Sequence, residues 1–464
     1  MVKATELGTE PIKRLLVKYA LPGIIAMTAS SLYNLVDSVF IGHMCGTLAL
    51  GGLTVAKPFM DICAAFGSFV GVGASTLLAI KLGEKDYLAA NKILGNVIIL
   101  NVILSSLVMA AGLIWLDPIL MAFGASEATL IYAHEYMEVI LWGNILTHIY
   151  FGLNSMLRSM GHPKSSMLAT VVAVTVNVFL DYIFIYRFQM GVRGAALATI
   201  ISQSVAVIWQ MALFFRKSEV VHFQKGIWGL DRDITLHSFS IGLSPFLMNI
   251  AHCFVVVIIN NQLVRFGGDM ALASYGVINR MIFLFAMIVM GLNQGLQPIA
   301  GYNYGAKQYP RVLKVLWMTS VAATLVTTTV FLLGELCPAQ MARVFTHDYE
   351  LIEATILPMR ILCASFWLVG FQMVGGNFFS SIGMAGKSIF LSLTRQVIYL
   401  IPLTLILPLL FDDNPILGVW WSVPISDSLA ALTAAVMIIL EVRKFKQLIA
   451  EQERYNSSLP PQPD

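Results

Sequence analysis

The chain has 464 residues, 58% of them hydrophobic and only 12% charged, with a mean hydropathy of +0.78 and a formal net charge of +3. A water-soluble chain of this length carries roughly a quarter charged residues, so lipid must solvate much of this one. The small net charge and the lack of a basic patch with interleaved aromatics argue against nucleic acid as a partner. The five cysteines form no CxxC pair and read as small apolar packing residues.

A bilayer core needs about 20 mostly apolar residues per helix. The opening MVKATELGTE is polar, and the apolar run after Lys13 and Arg14 is too long for a cleavable signal core, so it reads as a first membrane helix that stays. Twelve spans are predicted, at 12–41, 49–80, 93–116, 130–157, 165–186, 194–215, 236–263, 271–302, 312–334, 350–380, 388–410 and 417–442. Several exceed the minimum, which implies tilt or kinks. Span one carries Pro22, which removes a backbone donor and favours a kink. Asp37 lies 15 residues further on, about 22 Å at helical rise, so a bend at Pro22 is a candidate gate. In span two, Lys57 and Asp61 are four apart and are expected to pair. Residues 216–235 form the longest connection on the Lys- and Arg-rich side and read as a linker between halves. The Pro-rich tail is expected to be disordered.

Lys and Arg set the orientation. One set of alternating connections, with the termini, holds 21 of them, the other set holds 4, and Lys57, Arg280, Arg360 and Arg395 fall within spans. That bias places both termini in the cytoplasm and supports an even number of spans. The halves also repeat at an offset of about 222. Gly83-Glu-Lys-Asp-Tyr87 corresponds to Gly305-Ala-Lys-Gln-Tyr309, and Gly161-His-Pro-Lys164 to Gly383-Met-Ala-Gly-Lys387. Six spans per half make the repeat parallel, with its axis along the membrane normal. The expected fold is an all-α membrane protein with twelve transmembrane helices in two six-helix bundles: an N-terminal lobe at 1–225, a C-terminal lobe at 226–450 and a disordered tail at 451–464.

A carboxylate near the middle of a membrane helix costs about 2.5–3.5 kcal/mol and is read as functional by default. The candidates are Asp37, late in span one, and Asp181 in span five. Asn177 shares a helix face with Asp181, and Thr199 in span six and Asn154 in span four are further polar candidates. Their ligands are hard oxygens, which suit an alkali ion or a proton. The competing reading is helix–helix hydrogen bonding, which polar residues in membranes often provide. The second half lacks this set, so ion coupling is expected in the first. Lys57, Arg280 and Arg395 are possible cavity charges, and the role of Asp427 is left open.

The order of Asn177-x-x-x-Asp181, Gly194-Ala-Ala-Leu-Ala-Thr199 and Leu157-Arg-Ser-Met-Gly161 within twelve repeated spans resembles the multidrug and toxic compound extrusion family, from about Pro11 to Lys446. The resemblance implies export of organic cations or amphipathic drugs in exchange for sodium or protons. It also implies a cation site of Asp37, Asn177, Asp181 and Thr199, with Asn154 a weaker carry-over, as in the family branch whose acidic site lies in the first half. The same four residues would ligate the ion if it is sodium. Another branch uses acids in spans seven and ten. Here span seven has none, and Glu350 and Glu353 sit at the start of span ten. No cofactor is implied beyond the coupling ion. The protein is expected as a multi-pass monomer in the plasma membrane (the bacterial inner membrane), with small molecules and lipid as its partners. A flippase for lipid-linked oligosaccharides shares the broad architecture, and Lys57, Arg280 and Arg395 keep it as the alternative. A membrane enzyme is disfavoured, because no HExxH or GxSxG motif occurs.

Overall fold

The computed structural model describes residues 2–411 and 413–458. Among them every regular element is helical: α1 (Val2–Thr9), α2 (Ile12–Met44), α3 (Thr47–Gly83), α4 (Tyr87–Ile114), α5 (Leu116–Ala122), α6 (Glu127–Trp142), α7 (Asn144–Ser159), α8 (Pro163–Asp181) and α9 (Gly191–Phe214). After a linker follow α10 (Arg232–Gly305), α11 (Tyr309–Leu336), α12 (Pro338–Arg343), α13 (Tyr349–Cys363), α14 (Phe366–Ser381), α15 (Ala385–Leu393), α16 (Ile401–Leu410) and α17 (Pro415–Ser458). Two π-helical segments, Tyr182–Arg187 and Thr394–Leu400, extend α8 and join α15 to α16.

Nine helices among the described residues are long and apolar enough to cross a bilayer, or ten when α13 and α14, bent by 49°, form one span. The number becomes twelve when α10 is counted as two spans and α6 and α7, separated only by Gly143, as one. A straight helix of 74 residues would run about 110 Å, several bilayers' worth. The backbone leaves helical geometry at Gly268 (φ 65°, ψ −164°), a conformation open to glycine and strained for other residues. The chain turns back there, since Gly242 before it and Gly305 after it both meet α3, at Phe69 and Ile80. The breaks in the fourth and tenth spans, at Gly143 and Ser365, are 222 residues apart, matching the repeat offset.

The two halves meet on the side that holds both termini, called here the terminal side. Helix α3 lies against α10 backbone to backbone. A Cβ on Gly73 would come 1.9 Å from Ser238 O, and one on Gly305 would come 2.1 Å from Ile80 O. Small residues at such seams let membrane helices approach closely enough to gain dispersion contact. Gln297 seals the seam by donating from Nε2 to Thr76 Oγ1 (2.7 Å), Ser75 Oγ (3.1 Å) and Val72 O (3.3 Å). Phe69 packs on Phe239 and Phe246 at centroid distances of 4.9 and 5.2 Å, and Phe66 packs on Phe246 at 4.7 Å. The buried apolar residues follow the same division. One large cluster on the terminal side draws on both halves. Two smaller clusters on the far side each belong to one half. The halves are therefore joined below and parted above, around a cleft open to the far side.

Elements outside the spans reinforce the closure. Leu7 of α1 is fully buried, and its carbonyl accepts from Asn303 Nδ2 (3.0 Å) and Arg311 Nη2 (2.9 Å). The linker lies on α4: Asn91 Nδ2 donates to Val220 O (3.0 Å), and Asn96 binds Gly229 O and the N–H of Asp231. Asp231 caps α10, and the N–H of Ile234 foremost holds its carboxyl below the usual carboxylate range. The expected disordered tail needs correction at its start. Residues 451–458 continue α17 as helix, because Glu451-Gln-Glu-Arg454 are good helix formers and Gln452 Nε2 donates to Lys307 O at 3.4 Å. Residues 459–464 lie outside the described residues.

The seam predicts a sharp position dependence for glycine replacement. Gly73→Ala and Gly305→Ala should each destabilise the protein by at least the ~1–3 kcal/mol typical of overpacking. Gly376→Ala, whose Cβ would have nothing within 4 Å, should be neutral or mildly stabilising. Thermal unfolding of the three variants in detergent checks this; equal melting temperatures would contradict the seam.

Candidate cation site and cleft

Asp37 and Asp181 both end up buried near the far-side ends of their helices, 5% and 0% exposed. Asp37 stands seven residues before the end of α2, and Asp181 is the last residue of α8 before the π-helical segment. Asn177 and Thr199 are buried beside them. Asn177 Nδ2 donates to Thr199 Oγ1 at 3.3 Å, and Tyr33 Oη and Thr199 Oγ1 share a hydrogen bond at 2.8 Å. The carboxylates of Asp37 and Asp181 lie within each other's electrostatic reach, and both act on Tyr33 and on Tyr136 of α6. Helices α2, α6, α8 and α9 thus supply one polar pocket in the first lobe.

What distinguishes this pocket is an excess of acceptors. Asp37 Oδ1, Asp181 Oδ1, Asp181 Oδ2 and Asn177 Oδ1 are all buried with no hydrogen-bond donor among the described residues. Buried polar atoms are nearly always paired, and a buried carboxylate without a donor is more costly still. A small cation or a proton supplies what four such oxygens lack. Among the described residues no three or more His, Cys, Asp or Glu side chains converge. The ligands on offer are hard oxygens from two carboxylates, an amide and hydroxyls, a set suited to an alkali cation or a proton rather than a soft metal.

Asn154 does not join the pocket. Its amide donates to Ser166 O (3.1 Å) and Thr170 Oγ1 (3.3 Å), and its carbonyl accepts from Arg158 Nη1 (2.5 Å) and Ser166 Oγ (2.7 Å). Thr170 lies seven residues below Asn177 on α8, roughly 10 Å toward the terminal side. The expected Asn154 ligand is therefore a structural hub for Arg158, its oxygen already engaged. Pro22 is buried inside α2, which stays helical through it. Its neighbour Gly23 abuts α10, where a Cβ would lie 2.7 Å from Gly291 O.

The cavity charges divide. Lys57 Nζ pairs with Asp61 Oδ1 at 2.9 Å, both half-exposed, as the i,i+4 spacing predicts. Arg395 Nε donates to Asp427 Oδ1 at 2.7 Å, and Asp427 is buried. Arg280 is exposed and makes no ion pair among the described residues. Sequence reasoning passed over Tyr33 and Tyr136. Tyr33 carried a signal, since it stands four residues before Asp37 and shares its face; Tyr136 carried none.

Two six-helix lobes around a polar cleft, one with unpaired carboxylates inside it, define a membrane transporter rather than an enzyme. The MatE family model matches residues 22–183 and again 244–406, together more than two thirds of the chain, and the two matches begin 222 residues apart. The chain belongs to the MATE family of transporters. It is 28% identical over 433 residues to the multidrug export protein MepA of Staphylococcus aureus, covering 93% of this chain and 94% of that protein. Among solved structures it resembles the MATE multidrug transporter DinF-BH, solved as a complex, at 34% identity and a TM-score of 0.86, covering 93% of this chain and 96% of that one. It also superposes on an outward-facing MATE family transporter of the MOP superfamily with a TM-score of 0.89, covering 96% and 99%; at 24% identity this is a likeness of fold.

Donor-poor carboxylates predict that the pocket is a stability liability. Asp181→Asn removes a buried charge and keeps the shape, so it should raise the melting temperature, by about the equivalent of 1 kcal/mol or more. The measurement is thermal unfolding in sodium-free buffer at alkaline pH; a fall in melting temperature would show that a donor was present after all.

Proposed function

We propose that this protein is a sodium- or proton-coupled antiporter that exports organic cations and other amphipathic compounds across the plasma membrane by alternating access. The observation that carries the reading is the set of four donor-less oxygens on Asp37, Asp181 and Asn177. Multidrug export in the name of the Staphylococcus aureus relative, and multidrug transport in that of DinF-BH, support the substrate class.

Orientation follows from the 21-to-4 bias of Lys and Arg, which puts the terminal side in the cytoplasm. The cleft then opens outward. A cation enters from outside and binds Asp37 and Asp181 with Asn177 and Thr199. Its inward passage gains about 2.3 kcal/mol per 100 mV of membrane potential. Neutralising the two carboxylates removes their mutual repulsion and lets α2 repack about Pro22, next to its contact with Gly291. The substrate leaves outward, the lobes rock, and the ion is released to the cytoplasm. Binding drives this cycle only to the extent that the ion prefers one state over the other. One chain holds both lobes and the whole pocket, which fits a monomer in the bacterial inner membrane. The flippase alternative finds less support, because Lys57 and Arg395 each have an aspartate partner, which leaves the two pairs formally neutral rather than a cationic lining.

Proteoliposomes with an imposed sodium or proton gradient test the proposal. Asp37→Asn and Asp181→Asn should each cut gradient-driven uphill transport of a fluorescent cation at least ~10-fold, a loss of about 1.4 kcal/mol in coupling, while melting curves show a folded protein. Undiminished uphill transport by both variants would end the assignment.

A further inference from the structure

The floor of the cleft carries a second group of polar residues that the ion pocket does not use. Asp61 stands five residues above Phe66, whose ring packs on Phe246 of the other lobe. Asp61 and Lys57 form the first lobe's wall there, both half-exposed. Across the cleft, the charges of Asp61 and Arg395 both reach His252 of α10, which is exposed. Asp61 also acts on Cys253, and Arg395 and Asp427 both act on Tyr275. Ser392, one turn before Arg395, shares a hydrogen bond with Ser244 at 3.0 Å, two residues from Phe246, so Arg395 lies on the opposite wall about one turn above the aromatic seal formed by Phe66, Phe69, Phe239 and Phe246.

The contact that Arg395 makes is incomplete for a purely structural pair. A guanidinium offers five N–H donors in a planar fork, and an arginine that serves only a carboxylate is often engaged through two parallel bonds. Here Nε alone reaches Asp427 Oδ1, at 2.7 Å. Nη1 and Nη2 have no partner among the described residues, and the side chain keeps 26% of its surface exposed, against 2% for Asp427. Arg395 itself sits in the π-helical segment Thr394–Leu400, a widened turn of the kind often found at functional sites, while Asp427 is supplied by α17. The neighbouring Gln396 Oε1 is buried without a donor.

We propose that Arg395 is a specificity-determining residue of the cleft, its free Nη groups taking the carboxylate of an aromatic amphiphile whose rings rest on the Phe66–Phe246 floor. Asp427 is its positioning partner. It holds the guanidinium by Nε, aims the fork into the cleft, and by its own charge limits how tightly a second carboxylate is held. The proposal rests on the export reading above.

A matched pair of dyes separates the two: a rhodamine with its carboxylate free, and the ethyl ester of the same dye. Transport of both is measured in proteoliposomes across a concentration series. The wild type should move both. Arg395→Gln should raise KM for the free acid about tenfold and leave the ester unchanged. Arg395→Lys, which keeps the charge and loses the fork, should fall between. Asp427→Asn should lower KM for the free acid only. Should Arg395→Gln not fold, the double variant Arg395→Gln/Asp427→Asn, which leaves no lone buried charge, should show the same loss for the free acid alone. Equal shifts for acid and ester in these variants, or a wild type that moves the ester and not the acid, would overturn the proposal. A wild type that moves neither dye would instead overturn the export reading.

Discussion

The seam between α3 and α10 is the contact on which the rest of the molecule depends. Lipid is as apolar as the helices it surrounds, so burial of hydrophobic surface does not hold two lobes together in a bilayer; close packing and hydrogen bonds must. Gly73 and Gly305 let main chains touch, and Gln297 converts that proximity into hydrogen bonds to the partner helix. Both spans of α10 join the same face of α3, so a single line of contact fixes the angle between the lobes. The cleft is what that angle leaves open. The linker and α1 lie on the closed side, where movement of one lobe against the other must work against them.

The two lobes share a backbone plan and divide the chemistry. Breaks at Gly143 and Ser365 stand at the same point of each repeat, yet the π-helical segments do not. One follows Asp181 at the end of the fifth span, and the other surrounds Arg395 in the middle of the eleventh. Each therefore adjoins the charge that sets its lobe apart. A π turn widens the helix and displaces the residues at its edge from the usual 3.6-residue register. Asp181 is the last residue in ordinary register before its π segment, and Arg395 lies within the other. The first lobe holds acceptors without donors, and the second an arginine with donors to spare.

Much of this was legible in the sequence. The twelve spans, the 222-residue repeat and the Lys57–Asp61 pair follow from length, hydropathy and i,i+4 spacing, all local or nearly local properties. The grouping of Asp37, Asn177, Asp181 and Thr199 was also legible, because buried carboxylates in lipid are rare enough to stand out singly. Asn154 shows where such reasoning ends. Its polarity matched the pocket, but membership depends on depth, and a one-dimensional reading does not see that Arg158 one turn away already occupies its oxygen. Tyr136 and the breaks in the fourth and tenth spans were hidden for a similar reason: an aromatic residue or a glycine in a membrane helix is ordinary until its neighbours are known. The early tail residues were misjudged because disorder was read from composition alone, without the body of α17 to propagate from.

Lys57 ties the ion pocket to the cleft floor. It bonds Asp61 on the floor, and its charge also reaches Asp37 in the pocket. One ammonium thus acts on a carboxylate of the pocket and on a carboxylate of the floor. Fields add, so an ionised Asp37 contributes negative potential at the Lys57–Asp61 pair. Once a cation or proton neutralises Asp37, that contribution is lost, and the pair becomes less attractive to any positive group in the cleft. At the effective dielectric of a partly solvated site, charges about 4 Å apart interact with several kcal/mol, and the effect fades slowly over a further few ångström. A shift of that kind needs no large movement. Under the proposed cycle it gives ion binding a direct electrostatic means of expelling a cationic substrate, before the lobes themselves begin to turn.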